Sequence, residues 1–166
     1  MSQDFDTPRT QRSFPEAGVR VRILGLLMAI LLGLGGCSQP KQFYIDHGYV
    51  RLAAAPGRPA AAYFTLHGGP ADMTLISVHT EVAIKAEIHQ STMTGTMSAM
   101  KPLDRVALPA GGTLVFKPGG MHVMLFDMNP AIKPGKTMTL DFTFSDGSRY
   151  EYDAMVIAPG APAPKF

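Results

Sequence analysis

The chain has 166 residues, 46% of them hydrophobic and 17% charged, so it can bury a core and is not a disordered polymer. Its formal charge is +2, and beyond residue 36 eleven Lys and Arg face ten Asp and Glu, which argues against a basic footprint for nucleic acid. A single Cys rules out an intrachain disulfide framework and any CxxC redox or zinc motif.

Residues 1–22 are polar and carry Arg9, Arg12, Arg20 and Arg22, after which Ile23–Leu34 is an uncharged apolar run. Twelve residues are too few to cross a bilayer as a helix, which takes about 20. A basic flank, a short apolar stretch and small residues behind it predict a secretory signal peptide over residues 1–36. A short buried helix would instead be amphipathic, and this run is apolar all round. Leu34-Gly35-Gly36-Cys37 resembles a bacterial lipobox, which implies that Cys37 becomes the lipidated first residue of the mature protein. Such a Cys anchors a protein to a membrane without a spanning segment. Residues 37–47 are then the lipidated Cys and its tether.

From about residue 48 to 157 the chain reads as short strands between turns, with no 3.6-residue apolar period. Tyr49–Ala55 and Ala61–Leu66 are strand-like and are divided by Pro56-Gly57-Arg58-Pro59. Met73–Val78 follows the turn Gly68–Asp72. Val82–His89 alternates, with Val82, Ile84, Ala86 and Ile88 on one face and Lys85, Glu87 and His89 on the other, as in a half-buried strand. Thr113–Phe116 lies between two Pro/Gly turns, and Met121–Phe126 is the next strand. Met138–Phe144 and Tyr150–Ile157 flank Ser145-Asp146-Gly147-Ser148, a hairpin signature. Ala158–Phe166, rich in Pro and Ala, reads as a disordered tail. Turn signals every 8–12 residues predict a single all-β domain, a sandwich or barrel.

The chemistry concentrates between His89 and Met124. Met93, Met97 and Met100 follow His89, and the segment closes on Met121-His122-Val123-Met124. Imidazole and thioether are neutral ligands that together suit a soft ion, Cu(I) above all. On a strand, His122 and Met124 point to the same side, a natural bidentate pair, while Met121, Val123 and Leu125 pack inward. This inward packing presumes an edge or terminal strand. A His on an otherwise apolar strand needs a reason to be there. A bound metal supplies one, and a hydrogen bond to the backbone supplies another. Met73, Met138 and Met155 read as core filler. Met93, Met97 and Met121 read as filler, surface or auxiliary thioethers near the site. His47, His67 and His79 look like loop or strand-end residues.

The spacing His89-x10-Met100-x21-His122-x-Met124 resembles the metal motif of the periplasmic copper chaperone family called PCu(A)C. Likeness extends to Ala62–Leu66, Met100-Lys101-Pro102, Pro109–Gly112, Lys117–Gly120 and Phe144–Gly147, roughly residues 48–157. The resemblance implies a cupredoxin-like Greek-key β-sandwich or barrel that binds one Cu(I) through His89, Met100, His122 and Met124. It implies copper donor and acceptor partners: another periplasmic chaperone or a subunit of cytochrome c oxidase, whose copper site such proteins help to assemble. Ala158–Phe166 has neither His nor Met, so a second copper site of the kind some members carry on their C-terminal extension is not expected.

Together these readings predict a lipid-anchored metallochaperone on the periplasmic side of a bacterial membrane. Copper sequestration for tolerance and a non-metal surface lipoprotein are the alternatives. An electron-transfer cupredoxin would want a Cys thiolate in its site, and the one Cys precedes the domain. No nucleophile–base–acid order and no phosphate-cradling Gly loop points to an enzyme.

Overall fold

The computed structural model describes residues 41–94 and 97–166. The predicted signal peptide and Cys37 lie outside them. Ten strands carry the described chain: β1 (Tyr44–Arg51), β2 (Ala60–His67), β3 (Met73–His79), β4 (Ala83–Thr94), β5 (Met97–Pro102), β6 (Val106–Leu108), β7 (Thr113–Phe116), β8 (Met121–Met128), β9 (Thr137–Phe144) and β10 (Arg149–Ile157). Among the described residues no helix is long and apolar enough to cross a membrane.

Alternation is clearest in β9 and β2. In β9, Met138, Leu140, Phe142 and Phe144 are buried while Thr137 and Thr139 face solvent, the period-2 pattern of a sheet with one covered face. In β2, Ala60, Ala62, Phe64 and Leu66 point into the core in the same way.

The strands form one continuous sheet in the order β5-β4-β8-β7-β2-β1-β10-β9-β3-β6, with β8 also paired to β2. This sheet is curled into a sandwich. β2 and β9 are separated by β1 and β10, so a flat sheet would hold them roughly 14 Å apart. Yet the rings of Phe64 on β2 and Phe142 on β9 meet edge to face at 4.8 Å. One hydrophobic cluster fills the fold, drawing Val50, Phe64, Leu75, Phe116, Val123, Leu140 and Phe142 from strands on both sides of it. The all-β, cupredoxin-like expectation is borne out.

Several boundaries differ from the sequence reading. β1 begins at Tyr44, within the segment assigned to the tether, and ends at Arg51. Its start escapes period-2 reading because a β-bulge between Asp46 and Tyr49, with His47 at φ 53°, breaks the alternation. β4 does not stop at His89 but runs to Thr94, and β5 returns antiparallel beside it. Polar Gln, Ser and Thr residues hide this hairpin from hydrophobic patterning. Residues 158–166 form no strand, but Arg51 donates a hydrogen bond to the Ala161 carbonyl at 2.9 Å and Phe166 packs edge-on against His47 at 5.1 Å.

β8 is not an edge strand. It lies between β4 and β2, and its inward residues Val123 and Leu125 are fully buried. β7 and β8 act as consecutive halves of one partner for β2, with Phe64 opposite Phe116 and Ala62 opposite Val123. The loop Lys117-Pro118-Gly119-Gly120 interrupts them. Gly119 sits at φ 77°, a left-handed conformation that glycine adopts at no steric cost.

Candidate metal centre

Register places the motif residues. β4 and β8 pair antiparallel with His89 directly opposite His122 and Glu87 opposite Met124. β4 and β5 pair with Ser91 opposite Met100 and His89 opposite Pro102. Directly opposed residues share a face, and so do residues two apart on a strand. His89, His122, Met124 and Met100 therefore occupy one face across three neighbouring strands. The reverse face carries Ile88 and Val123, which belong to the core.

The histidine rings lie with centroids 6.0 Å apart, a separation one ion can bridge with metal–nitrogen bonds of about 2 Å. His122 is 6% exposed and the His89 side chain 12%, whereas Met100 on the outer strand β5 is 57% exposed. Met124 is half-buried. The centre is thus embedded on its β8 side and open at the β5 edge.

Each imidazole is held by one nitrogen. His122 Nδ1 is 3.0 Å from the Gly120 carbonyl. A carbonyl only accepts, so Nδ1 carries the proton and a neutral ring leaves Nε2 bare. Both reasons anticipated for a histidine on this apolar strand are therefore compatible: one nitrogen serves the backbone and the other is free for a metal. The same Gly120 oxygen accepts from the Ser91 amide at 3.1 Å, which ties the glycine loop to β4. His89 Nε2 lies 3.1 Å from Glu87 Oε2, while Lys85 Nζ grips Glu87 Oε1 at 2.6 Å. The hydrogen bond from Lys85, and after it that from His89, holds the Glu87 carboxyl below the usual carboxylate range. His89 Nδ1 is buried and has no hydrogen-bond partner among the described residues. Such atoms are rare and require an explanation; a metal ion bonded at Nδ1 would be one.

An aromatic and cationic wall stands beside His122. Tyr63 lies 6.4 Å from its ring, Tyr49 lies 5.0 Å from Tyr63, and the Arg51 guanidinium sits 5.7 Å from the Tyr63 ring centroid. Burial raises the pKa of both phenols, opposed by the Arg51 charge, so both stay protonated.

The fold thus assembles all four motif residues on one face. It does not bring Met121 to them: that residue is opposite Gln90, on the reverse face of β8, and packs against the core. Met93 and Met97 fall within β4 and β5, but their side chains lie outside the described ones. Among the described residues no group of three or more His, Cys, Asp and Glu is placed to hold a metal, so a centre here has to draw on thioethers. His67 is bound to Asp46 at 3.2 Å and stacks on Tyr44 at 4.1 Å, away from the motif on the β1–β2 pair. Sequence reasoning did not single out Glu87, Gly120 or Tyr63. Glu87 had a legible signal, the two-residue spacing from His89 on an alternating strand. Gly120 acts through its carbonyl and Tyr63 through strand adjacency; both fall in segments that carry the resemblance, but nothing in those segments marks the contact each makes with His122.

A family model described as "Putative lipoprotein LpqE-like" matches residues 43–156. A protein of Leifsonia xyli subsp. xyli named "Putative lipoprotein Lxx21020" is 28% identical over 133 residues, covering 72% of this chain and 80% of that one. Among solved structures, the copper-bound PCuAC domain from PmoF2 matches at 21% identity and a TM-score of 0.60, covering 73% of this chain and 97% of that domain. The Cu(I) form of DR1885 from Deinococcus radiodurans matches at 26% identity and a TM-score of 0.58, covering 77% of this chain and 85% of that one. The resemblance to PCu(A)C proteins read from the spacing is borne out by these matches.

Proposed function

Because the chain belongs to the LpqE-like lipoprotein family and folds as PCuAC domains do, we propose that it is an extracytoplasmic Cu(I) metallochaperone, anchored through a lipidated Cys37, that carries one copper ion on His89, Met100, His122 and Met124. The observation that carries this reading is the cross-strand pair His89–His122, 6.0 Å apart, with both motif methionines on the same face.

The donor set fits the cargo. Two neutral imidazoles and two thioethers are soft to borderline ligands, which favour Cu(I) over zinc or hard cations. The unpartnered His89 Nδ1 supports a ligand that the protein itself does not supply. No residue here has to perform chemistry on the ion; the chain binds it, orients two rings by their second nitrogens and shields the site on the β8 side.

Delivery fits the geometry better than storage. A sequestering site would enclose every ligand, but Met100 stands at the open edge, where a partner's donor atom can replace it. The acceptor is a protein offering soft ligands outside the cytoplasm, and assembly of the cytochrome c oxidase copper site is the role that the PCu(A)C resemblance implies.

Anaerobic Cu(I) titration of the full chain against a chromogenic chelator tests the proposal. One equivalent should bind, and His89→Ala, Met100→Ala, His122→Ala and Met124→Ala should each weaken that binding. Absence of Cu(I) binding by the unsubstituted chain, or four variants that bind as it does, would overturn it.

A further inference from the structure

We propose that Glu87 is a positioning residue of the centre: its carboxylate fixes which nitrogen His89 offers to the metal. The inference rests on the copper reading above and deepens it.

Lys85, Glu87 and His89 occupy alternate positions of β4 and so line one face. Along that face Lys85 Nζ holds one Glu87 oxygen at 2.6 Å, and the other lies 3.1 Å from His89 Nε2. An ionised carboxylate can only accept, so the proton of a neutral His89 ring resides on Nε2 and Nδ1 presents its lone pair. Nδ1 is the atom that is buried without a partner. Both observations identify the same nitrogen as the ligand atom.

His122 is set the other way. The Gly120 carbonyl takes its Nδ1 proton, which leaves Nε2. Two rings facing each other across a strand pair are thereby locked in opposite tautomers. Nδ1 lies closer to the backbone than Nε2, so His89 offers its lone pair close to its own strand while His122 reaches from the opposite one. A carboxylate hydrogen-bonded to a ligating imidazole also makes it a stronger donor, and loss of such a partner typically weakens metal binding 10–100-fold. An exposed Lys85–Glu87 ion pair alone would contribute little to stability.

Long-range proton–nitrogen NMR of the imidazoles in the metal-free full chain, solubilised in detergent micelles, reads the tautomers directly. His89 should carry its proton on Nε2 and His122 on Nδ1. Glu87→Ala should shift His89 towards the Nδ1–H form and lower Cu(I) affinity roughly 10–100-fold, with the thermal unfolding midpoint nearly unchanged. Glu87→Gln, whose amide oxygen can still accept from Nε2–H, should restore the wild-type tautomer and most of the affinity. A proton on His89 Nδ1 in the unsubstituted chain overturns the proposal. So does a Glu87→Ala variant with unaltered tautomer and affinity, or one whose affinity falls only in step with its folding. Should the unsubstituted chain bind no Cu(I), the copper reading fails, while the tautomer measurement still decides whether Glu87 sets the ring.

Discussion

Single residues decide how open this centre is. His122 is almost completely enclosed and tied to Gly120, whereas Met100 is more than half exposed on the outermost strand. A ligand already fixed by burial and a hydrogen bond loses little freedom on binding; an exposed thioether with three rotatable bonds must be ordered first. We therefore expect His122→Ala to cost at least about tenfold more Cu(I) affinity than Met100→Ala, or about 1.4 kcal/mol. Chelator competition measures both, and a larger loss at Met100 would contradict the order. Residue identity and spacing were legible from the sequence, since only side-chain type and the alternation rule are needed to pair His122 with Met124. Met121 shows how far that rule reaches: it is a thioether beside His122 in sequence, and one strand position turns it to the core, as alternation predicts.

At the scale of elements, the turns do the positioning. Lys117–Gly120 interrupts what would otherwise be one strand against β2 and delivers the carbonyl that orients His122. The β9–β10 hairpin depends on Asp146, whose Oδ1 accepts from the Ser148 hydroxyl at 2.6 Å and the Ser148 amide at 2.9 Å. These bonds, the hydroxyl first, hold the Asp146 carboxyl below its usual range. Its contribution to stability is therefore complete above the unperturbed Asp value of about 3.9 and is lost as pH falls through the lower folded value. In urea melts, the gap in stability between wild type and Asp146→Ala should be constant above about pH 5 and close only in strong acid. A gap that grows with acidification would have the wrong sign. Hairpin β9–β10 could be read in advance because Asp-Gly has a local conformational cause. The hairpin β4–β5 could not, because its pairing is fixed by the sheet beside it rather than by an apolar pattern of its own.

Across the whole molecule, stability rests on the contact between the two sides of the curled sheet. Phe64 meets Phe142 at 4.8 Å and stacks on Phe116 at 4.3 Å, and all three are at most 2% exposed. Phe64→Ala should destabilise the fold by about 3–5 kcal/mol through lost burial and the cavity left behind, read from the shift of the urea midpoint. A loss below about 1 kcal/mol would mean that the site had collapsed onto the void. The same core anchors the motif strands, since Ile88 and Val123, on the inner faces of the paired strands β4 and β8, both belong to it.

By itself the sequence determined the class of fold, the turns, the inward face of most strands and the His and Met residues of the motif with their spacing. These follow from local causes: period-2 alternation, Gly and Pro conformations, and the softness of imidazole and thioether. Only the tertiary structure decided that β4 lies against β8 in the register that sets His89 opposite His122, that β8 is an inner strand, and that Glu87 and Gly120 hold the two rings by opposite nitrogens. Those outcomes depend on pairing between segments distant in the chain, and such pairing is chosen by the packing of a shared core rather than by any short run of residues.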